Sequence, residues 1–427
     1  MVGFGFVAVA PVPLVGSGDG SGIGLALVAA VAGGIALGTV SGLIPGLHAN
    51  NMALLLAGGA DRLPGPPSLV AATMLATGVV HTFLDAVPAT ALGVPDPAMA
   101  VTALPAHRLV AEGRGGEALR LSALGSVGAI VLAAPLALPV TRVVESVYPV
   151  LRAVLPYLLG ATAVALVVTE PGRRRRIGGA VTAAASTALG AVVLDFPVAG
   201  PLSGPPAGGG NVLVPTFAGL FGAPVLLDAL AGGGVPPQRE RAVSLAPRAI
   251  AGLAALGTLA GAAVGYLPGV SSAVAATLAL SAVPGRYGAR GFVVATSGVN
   301  TANTAFATCA LLALGTPRTG VLVAVERAGG VPAVGPAVVA VGLAAAAGFV
   351  LVVLLGDAYL RAVRRVDHVR LSLSVLCLLV CVSYLLAGPV GVGILGASSL
   401  VGRLPVWFGA RRVHLMSVLL GPIALGL

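Results

Sequence analysis

Residues 23–44, IGLALVAAVAGGIALGTVSGLI, run through 22 positions without a charged side chain. At about 1.5 Å per residue such a helix is roughly 33 Å long, enough to cross the hydrocarbon of a bilayer. Comparable apolar stretches fall near 68–92, 118–140, 153–169, 177–194 and 211–230, then near 249–267, 291–314, 333–357, 371–387, 389–402 and 413–427. Those at 47–60 and 270–284 are too short to cross and suit half-helices or the arms of re-entrant hairpins. Charged residues make up 9% of the chain and hydrophobic residues 57%, whereas soluble domains carry roughly 25% charged residues. The expected fold class is an all-α polytopic integral membrane protein with lipid as its solvent.

The net charge is +10. Every basic side chain but histidine is an Arg. No soluble basic domain or aromatic-lined patch accompanies them, so a nucleic-acid partner is not expected. The Arg residues lie in short loops between apolar stretches, the usual signal for the cytoplasmic side. The run RRRR at 173–176 reads as a topology anchor beside anionic lipid headgroups. Cys309, Cys377 and Cys381 lie in apolar stretches and match no zinc or redox pattern, which suits small packing residues. The N-terminal stretch MVGFGFVAVAPVPLVG has no positive n-region, so no cleavable signal peptide is read there.

An internal repeat organises the chain. The segment LGTVSGLIPGLHANNMALLL (37–56) has a counterpart in LGTLAGAAVGYLPGVSSAVAATLAL (256–280). Gly34, Gly38, Gly42, Pro45 and Gly46 recur as Gly257, Gly261, Gly265, Pro268 and Gly269, all at one offset (268 − 45 = 223). A second echo pairs ATALGVPDP (89–97) with LLALGTPRT (311–319). Two membrane repeats follow, 20–235 and 245–427. Each contains an odd number of apolar elements, so the second should be inverted relative to the first. The Arg-bearing loops 108–120, 173–176, 239–248, 286–290, 361–370 and 403–412 then share one side, taken as the cytoplasm, while 318–327 lies on the other. The loop expected at 142–152 carries only Arg142 and Arg152, against four Arg in 361–370. Both termini are placed outside a cell membrane.

A proline in mid-membrane frees a carbonyl and breaks the helix, and such a break is tolerated where it lines a polar cavity. Paired breaks in two inverted halves mark the substrate site of many secondary transporters. The next half-helix points N–H groups at that cavity, which suits an anion. Pro45, Gly46, His48, Asn50 and Asn51 would form the first tip, and Pro268, Gly269, Ser271 and Ser272 the second. The competing view is structural: Gly-Pro kinks are common in membrane helices, and Asn or Ser there can satisfy freed backbone. His81 and Asp85 stand at i and i+4 in VVHTFLDAVP and could carry a proton or help hold Na⁺, or simply form a self-satisfied ion pair. Asn300, Asn303 and Thr304 share one helix face and are site or packing candidates. Asp96, in a Gly-x-Pro-x-Pro turn, is an ion-coupling candidate or a turn residue. Asp195 and Asp228 are expected at interfacial water, and His107, Glu112 and Arg114 in a solvated loop.

GTVSGLIPGLHANN, followed by LGVPDPAMAVTALPAHRLVAEGRGGEALRLSALGS, resembles the TctA large membrane subunit of tripartite tricarboxylate transporters. GYLPGVSSAVAATLAL, GVNTANTA and LLALGTPRTGVLVA are similar to that family's second Pro-Gly segment, Asn-containing stretch and Gly-x-Pro turn. The resemblance spans roughly 30–425. It implies a cation-coupled carboxylate permease, assisted by a small membrane subunit and an extracytoplasmic binding protein. Departures stand at the first tip, where His48-Ala49-Asn50-Asn51 replaces a Gly-rich sequence. Around 300–304, Asn300, Asn303 and Thr304 replace Glu with paired Asn. Asp96 stands where a small residue is usual. This marks a divergent member and puts citrate itself in question.

The reading is therefore a secondary-active permease for small carboxylates, coupled to Na⁺ or H⁺, with no other cofactor and no metal. The alternative is an intramembrane enzyme acting on a lipid-linked substrate. No HExxH, GxSxG or paired intramembrane Asp motif supports it, and the protein is not expected to be an enzyme. A channel would need a continuous polar path instead of two broken helices.

Overall fold

In the computed structural model the described residues are 20–44, 52, 65–92, 103–201, 212–230, 236–239, 242–267, 272, 275–276, 279 and 282–427. Rich in Ala, Leu and Val and without water to satisfy the backbone, they turn almost throughout into helices. These are α1 (Gly20–Leu43), α2 (Pro67–Leu84) continued by α3 (Ala86–Leu92), α4 (Ala103–Ala111), α5 (Gly115–Val168) and α6 (Arg173–Val193). Next come α7 (Leu213–Phe217), a π-turn (Ala218–Gly222), α8 (Ala223–Ala229), α9 (Pro247–Gly265), α10 (Gly288–Leu314) and α11 (Gly320–Arg327). The chain closes with α12 (Val334–Val363), α13 (His368–Phe408), a 3₁₀ turn (Arg412–Met416) and α14 (Ser417–Leu425). Among the described residues there is no strand, and 7 helices are long and apolar enough to cross a membrane. Leu25, Val131, Leu138 and Leu400 stand exposed on the outside, an apolar surface that suits lipid and not water. The protein is all-α and polytopic, as the sequence leads one to expect.

The glycine rows set the closest helix pairs. A Cβ on Gly38 would lie 2.6 Å from the Thr77 carbonyl, and one on Gly42 would lie 2.7 Å from Leu84 Cβ. Gly34 presses on Thr73 in the same way. In the second row Gly257 presses on Ala295, while a Cβ on Gly261 would lie 2.6 Å from Ala302 Cβ and one on Gly265 2.8 Å from Phe306 Cβ. Only glycine lets these backbones approach so closely. The partner positions repeat as well: Thr73/Ala295, Val80/Ala302 and Leu84/Phe306 each differ by 222 (306 − 84). Contact positions rise together along both helices, so α1 runs parallel to α2 and α9 parallel to α10.

Each half lends a long helix to the other half's glycine pair. α5 lies on α10, where Gly125 presses on Val294 and the Ser122 and Ser297 hydroxyls are 2.8 Å apart. α12 lies on α2: Gly330, just before α12, meets Pro67, and a Cβ on Gly348 would stand 2.8 Å from Phe83 Cγ. The two halves are interlocked in this way. These contacts also fix direction. α12 follows α2 but opposes α5, since Arg120 pairs with Asp357 at 3.0 Å. α5 follows α10, from Glu117–Arg290 at one end to Tyr148–Arg318 at the other. So α2 and α10 run in opposite directions.

α5 corrects the expected loop at 142–152, because it is helical over 54 residues. Straight, it would be roughly 81 Å long. Yet Thr169 and Glu170 line a cavity with Pro105 and Phe292, close to the start of α5. The helix therefore folds back. Pro149 and Pro156 lie inside it, and each removes a donor that a straight helix would need. α13 folds back too, at Gly388 (φ 62°), in the expected gap between 371–387 and 389–402. Two smaller expectations change. Residues 103–111 form α4 instead of a solvated loop, with His107 Nδ1 3.1 Å from the Thr90 carbonyl. Cys377 and Cys381 are exposed on the outer surface of α13 and not packed. Asp195 is exposed, in keeping with contact with water. Segments 47–60 and 270–284 lie mostly outside the described residues.

Two buried carboxylates tie down the Arg-bearing end. Glu117, 0% exposed, receives Arg114 Nε at 2.6 Å, Arg290 Nε at 2.9 Å, and Ser244 through N at 3.0 Å and Oγ at 2.6 Å. It thereby joins α5, α10 and the connection between the halves. Glu170 holds α5 to the turn before α14, through the Arg411 backbone N–H (2.8 Å), the Arg411 guanidinium (2.9 Å) and His414 Nε2 (2.8 Å). Burial pushes the Glu170 carboxyl up, but the Arg411 and His414 bonds outweigh it and leave it below its ordinary value. Burial lowers the His414 imidazole more than Glu170 raises it, so the neutral ring donates to the carboxylate. Both groups bind protons less readily folded than unfolded, so stability rises with pH. The His414 contribution is present above its ordinary value near 6.5 and lost as pH falls below it, and the Glu170 contribution goes at lower pH still. Melting temperature in detergent is expected to fall from pH 7.5 to 5.5, and His414→Gln is expected to flatten that slope. An equal slope in both proteins would contradict it.

Candidate functional site

Two polar clusters from opposite halves meet in the interior, on α2 and α10. Pro88 has no N–H for the Leu84 carbonyl, and the helix is interrupted at Asp85, between α2 and α3. Asp85 is 3% exposed, and the Asn300 amide donates to its Oδ2 at 2.7 Å. Asp85 lies 18 residues into α2 (85 − 67) and Asn300 12 residues into α10 (300 − 288). These are about 27 and 18 Å from helix starts on opposite sides of the molecule. The contact therefore sits well inside the apolar layer, where a carboxylate is costly and usually functional.

The flanking groups repeat across the halves. His81, 1% exposed, has Nδ1 2.9 Å from the Ser41 hydroxyl on α1. The Asn303 amide donates to the Ser272 hydroxyl at 3.0 Å. His81 and Asn303 are matched positions (303 − 81 = 222), since their carbonyls lie 3.2 Å from the Cβ positions of Gly42 and Gly265. Each glycine-packed helix pair thus places one nitrogen-bearing side chain against a serine, Ser41 within α1 for the first and Ser272, beyond α9, for the second. Thr304 is half-buried beside them, with its carbonyl taken up by Thr308. The structure brings together His81, Asp85, Ser272, Asn300 and Asn303 out of the residues singled out by sequence. Pro45, Gly46, His48, Asn50, Asn51, Asp96, Pro268, Gly269 and Ser271 lie outside the described residues.

Two residues here escaped the sequence reading. Ser41 sits inside the first glycine row, and its partner is 40 residues away. Thr301 is 0% exposed, and its hydroxyl has no hydrogen-bond partner among the described residues. A polar residue within a glycine row was the one available signal for Ser41. For Thr301 there was none.

A carboxylate, amides, an imidazole and hydroxyls in an apolar interior can bind and release a small polar solute or a cation. The amino-acid sequence matches a known family over residues 28–417, described as "Tripartite tricarboxylate transporter TctA family". The chain belongs to the TctA family. It is thus a multi-pass membrane protein of the tricarboxylate transporter type, in a family of transporters. Among its relatives is "Uncharacterized protein MJ1079" of Methanocaldococcus jannaschii, 24% identical over 406 residues, covering 92% of this chain and 96% of that protein. No solved structure matches it.

Proposed function

We propose that this TctA protein is a secondary-active permease for small carboxylates, coupled to Na⁺ or H⁺. The observation that carries the reading is the Asp85–Asn300 contact between two oppositely directed, glycine-packed helices. In this account the Pro-Gly tips at 45–51 and 268–272, of which only Ser272 is among the described residues, form the substrate site. Backbone N–H groups there, with Asn50, Asn51, Ser271, Ser272, Asn303 and Thr304, hold the carboxylate. His81, Asp85 and Asp96 are the ion-coupling residues, and His48 senses charge at the first tip. A small membrane subunit and an extracytoplasmic binding protein deliver the substrate, as the family's tripartite description suggests.

The repeats 20–235 and 245–427 are proposed to be inverted, which the opposite directions of α2 and α10 support. With the Arg-bearing end in the cytoplasm of a plasma membrane, both termini lie outside. Exposed positions test this in a cysteine-free background: Glu112→Cys and Arg365→Cys should label from the cytoplasm and Arg327→Cys from outside. Labelling of all three from one side would contradict inversion.

The function itself is tested by uptake into proteoliposomes. Labelled citrate and a panel of mono- and dicarboxylates would be offered under inward Na⁺ or H⁺ gradients, with Asn51→Ala and Ser271→Ala as controls. Gradient-driven uptake lost in both variants supports the proposal. No accumulation of any panel member, with the binding protein and small subunit supplied, contradicts it.

A further inference from the structure

The Arg-bearing end contains a second polar feature, remote from the Asp85–Asn300 contact. Two adjoining cavities, of about 560 and 450 Å³, share Pro171, Arg175, Val406 and Gly409 in their walls. The larger has an apolar floor that includes Pro105, Phe292 and Val413, and Arg411 and Arg412 at its edge. The smaller is walled by Arg173, Arg174 and Trp407.

The charges in these walls do not balance internally. Glu170 is taken up by Arg411 and His414. Arg412 stands 3.5 Å from Asp228, which Arg403 also approaches at 3.5 Å. Arg174 donates to the Trp407 carbonyl at 2.9 Å and Arg176 to the Glu170 carbonyl at 3.1 Å. Arg173 and Arg175 make no hydrogen bond or ion pair among the described residues. Both remain available in cavity walls that carry a surplus of positive charge.

We propose that the paired cavities bind the phosphate of an anionic lipid headgroup, with Arg173 and Arg175 as its principal ligands. Guanidinium groups match phosphate oxygens in geometry and charge. The same chemistry could take a free phosphate, and the surroundings favour lipid. Trp407 is 54% exposed at the mouth, and Ile177 (47%), Val406 (39%) and Leu400 (67%) turn apolar surface outward along the same helices. An aromatic ring at headgroup depth beside acyl-chain surface marks a membrane interface. Pro105 and Phe292 belong to the α4 and α10 side of the cavity, and Glu170 and Arg411 to the α5–α14 side. A bound headgroup therefore bridges the two sides. This site is independent of the carboxylate reading.

The test is lipid retention by the detergent-purified protein, followed by native mass spectrometry with phosphatidylglycerol against phosphatidylcholine. Wild type should retain phosphatidylglycerol selectively. Arg173→Ala/Arg175→Ala should bind it on the order of tenfold more weakly, each basic group near a lipid surface contributing appreciably. Arg361→Ala/Arg364→Ala, exposed positions at the same end, should retain it as wild type does. Excess inorganic phosphate should leave the lipid bound. Displacement of the lipid by sub-millimolar phosphate would assign the site to a soluble anion and overturn the lipid source. Equal retention of both lipids, or equal loss in the two double variants, would overturn the site.

Discussion

Replacing Glu117 by Ala is expected to destabilise the protein by about 3–5 kcal/mol, the usual cost of stripping one partner from a buried ionic cluster. The carboxylate is 0% exposed and accepts from two guanidinium groups and from the backbone and hydroxyl of Ser244. Without it, Arg114 and Arg290, 30% and 27% exposed, would face each other with no negative charge between them. The segment joining the halves would lose its anchor at Ser244, although Gln238 would still accept from Gly115 N at 2.7 Å. Lowered melting temperature and shortened lifetime in detergent are the readouts. Arg108→Ala is the comparison, because its pair with Glu112 is exposed (77% and 44%) and such pairs contribute little. Equal melting of Glu117→Ala and Arg108→Ala would show that the cluster does not hold the halves together.

Asp85→Asn is expected to leave the fold intact and to remove coupling. The new amide keeps the size of the side chain and can still bond Asn300, so packing against α10 is preserved. What is lost is the charge. A charge-assisted hydrogen bond contributes about 1.5–3 kcal/mol, so uptake should fall roughly tenfold to a hundredfold. The residual uptake should no longer respond to the ion gradient. Asn300→Ala should also slow uptake yet retain gradient dependence, since the carboxylate remains. A variant Asp85→Asn that melts lower but transports with full gradient dependence would reduce Asp85 to a structural role.

Much of this molecule was legible because lipid leaves few options. Polar side chains in apolar helices stand out, so His81, Asp85, Asn300 and Asn303 could be singled out without a structure. The glycine rows at four-residue spacing marked a smooth face for close helix approach, but only the fold shows that α2 and α10 are the partners. Less legible were features that depend on distant partners. Glu117 and Glu170 each sit near Arg in sequence and look like solvated loop residues. Only the fold brings Arg290 and Arg411 onto them and buries them. The reversal near 142–152 was expected as a loop; what stayed hidden is that the residues there are helical, because Arg142, Glu145 and Arg152 interrupt the apolar pattern. His107 was assigned to a loop because the charged residues after it mask the short apolar face of α4.

The most direct test of the central claim is a thermal-shift titration of the purified protein with the same carboxylate panel, in Na⁺ and in Na⁺-free buffers at several pH values. Binding to the folded state raises the melting temperature by mass action. The account predicts that one carboxylate class stabilises wild type in an ion-dependent way and fails to stabilise Asn303→Ala, whose amide bonds Ser272 at the matched position to His81. A carboxylate that stabilises both proteins equally, or a panel that stabilises neither, would contradict a carboxylate site shared between the two glycine-packed helix pairs.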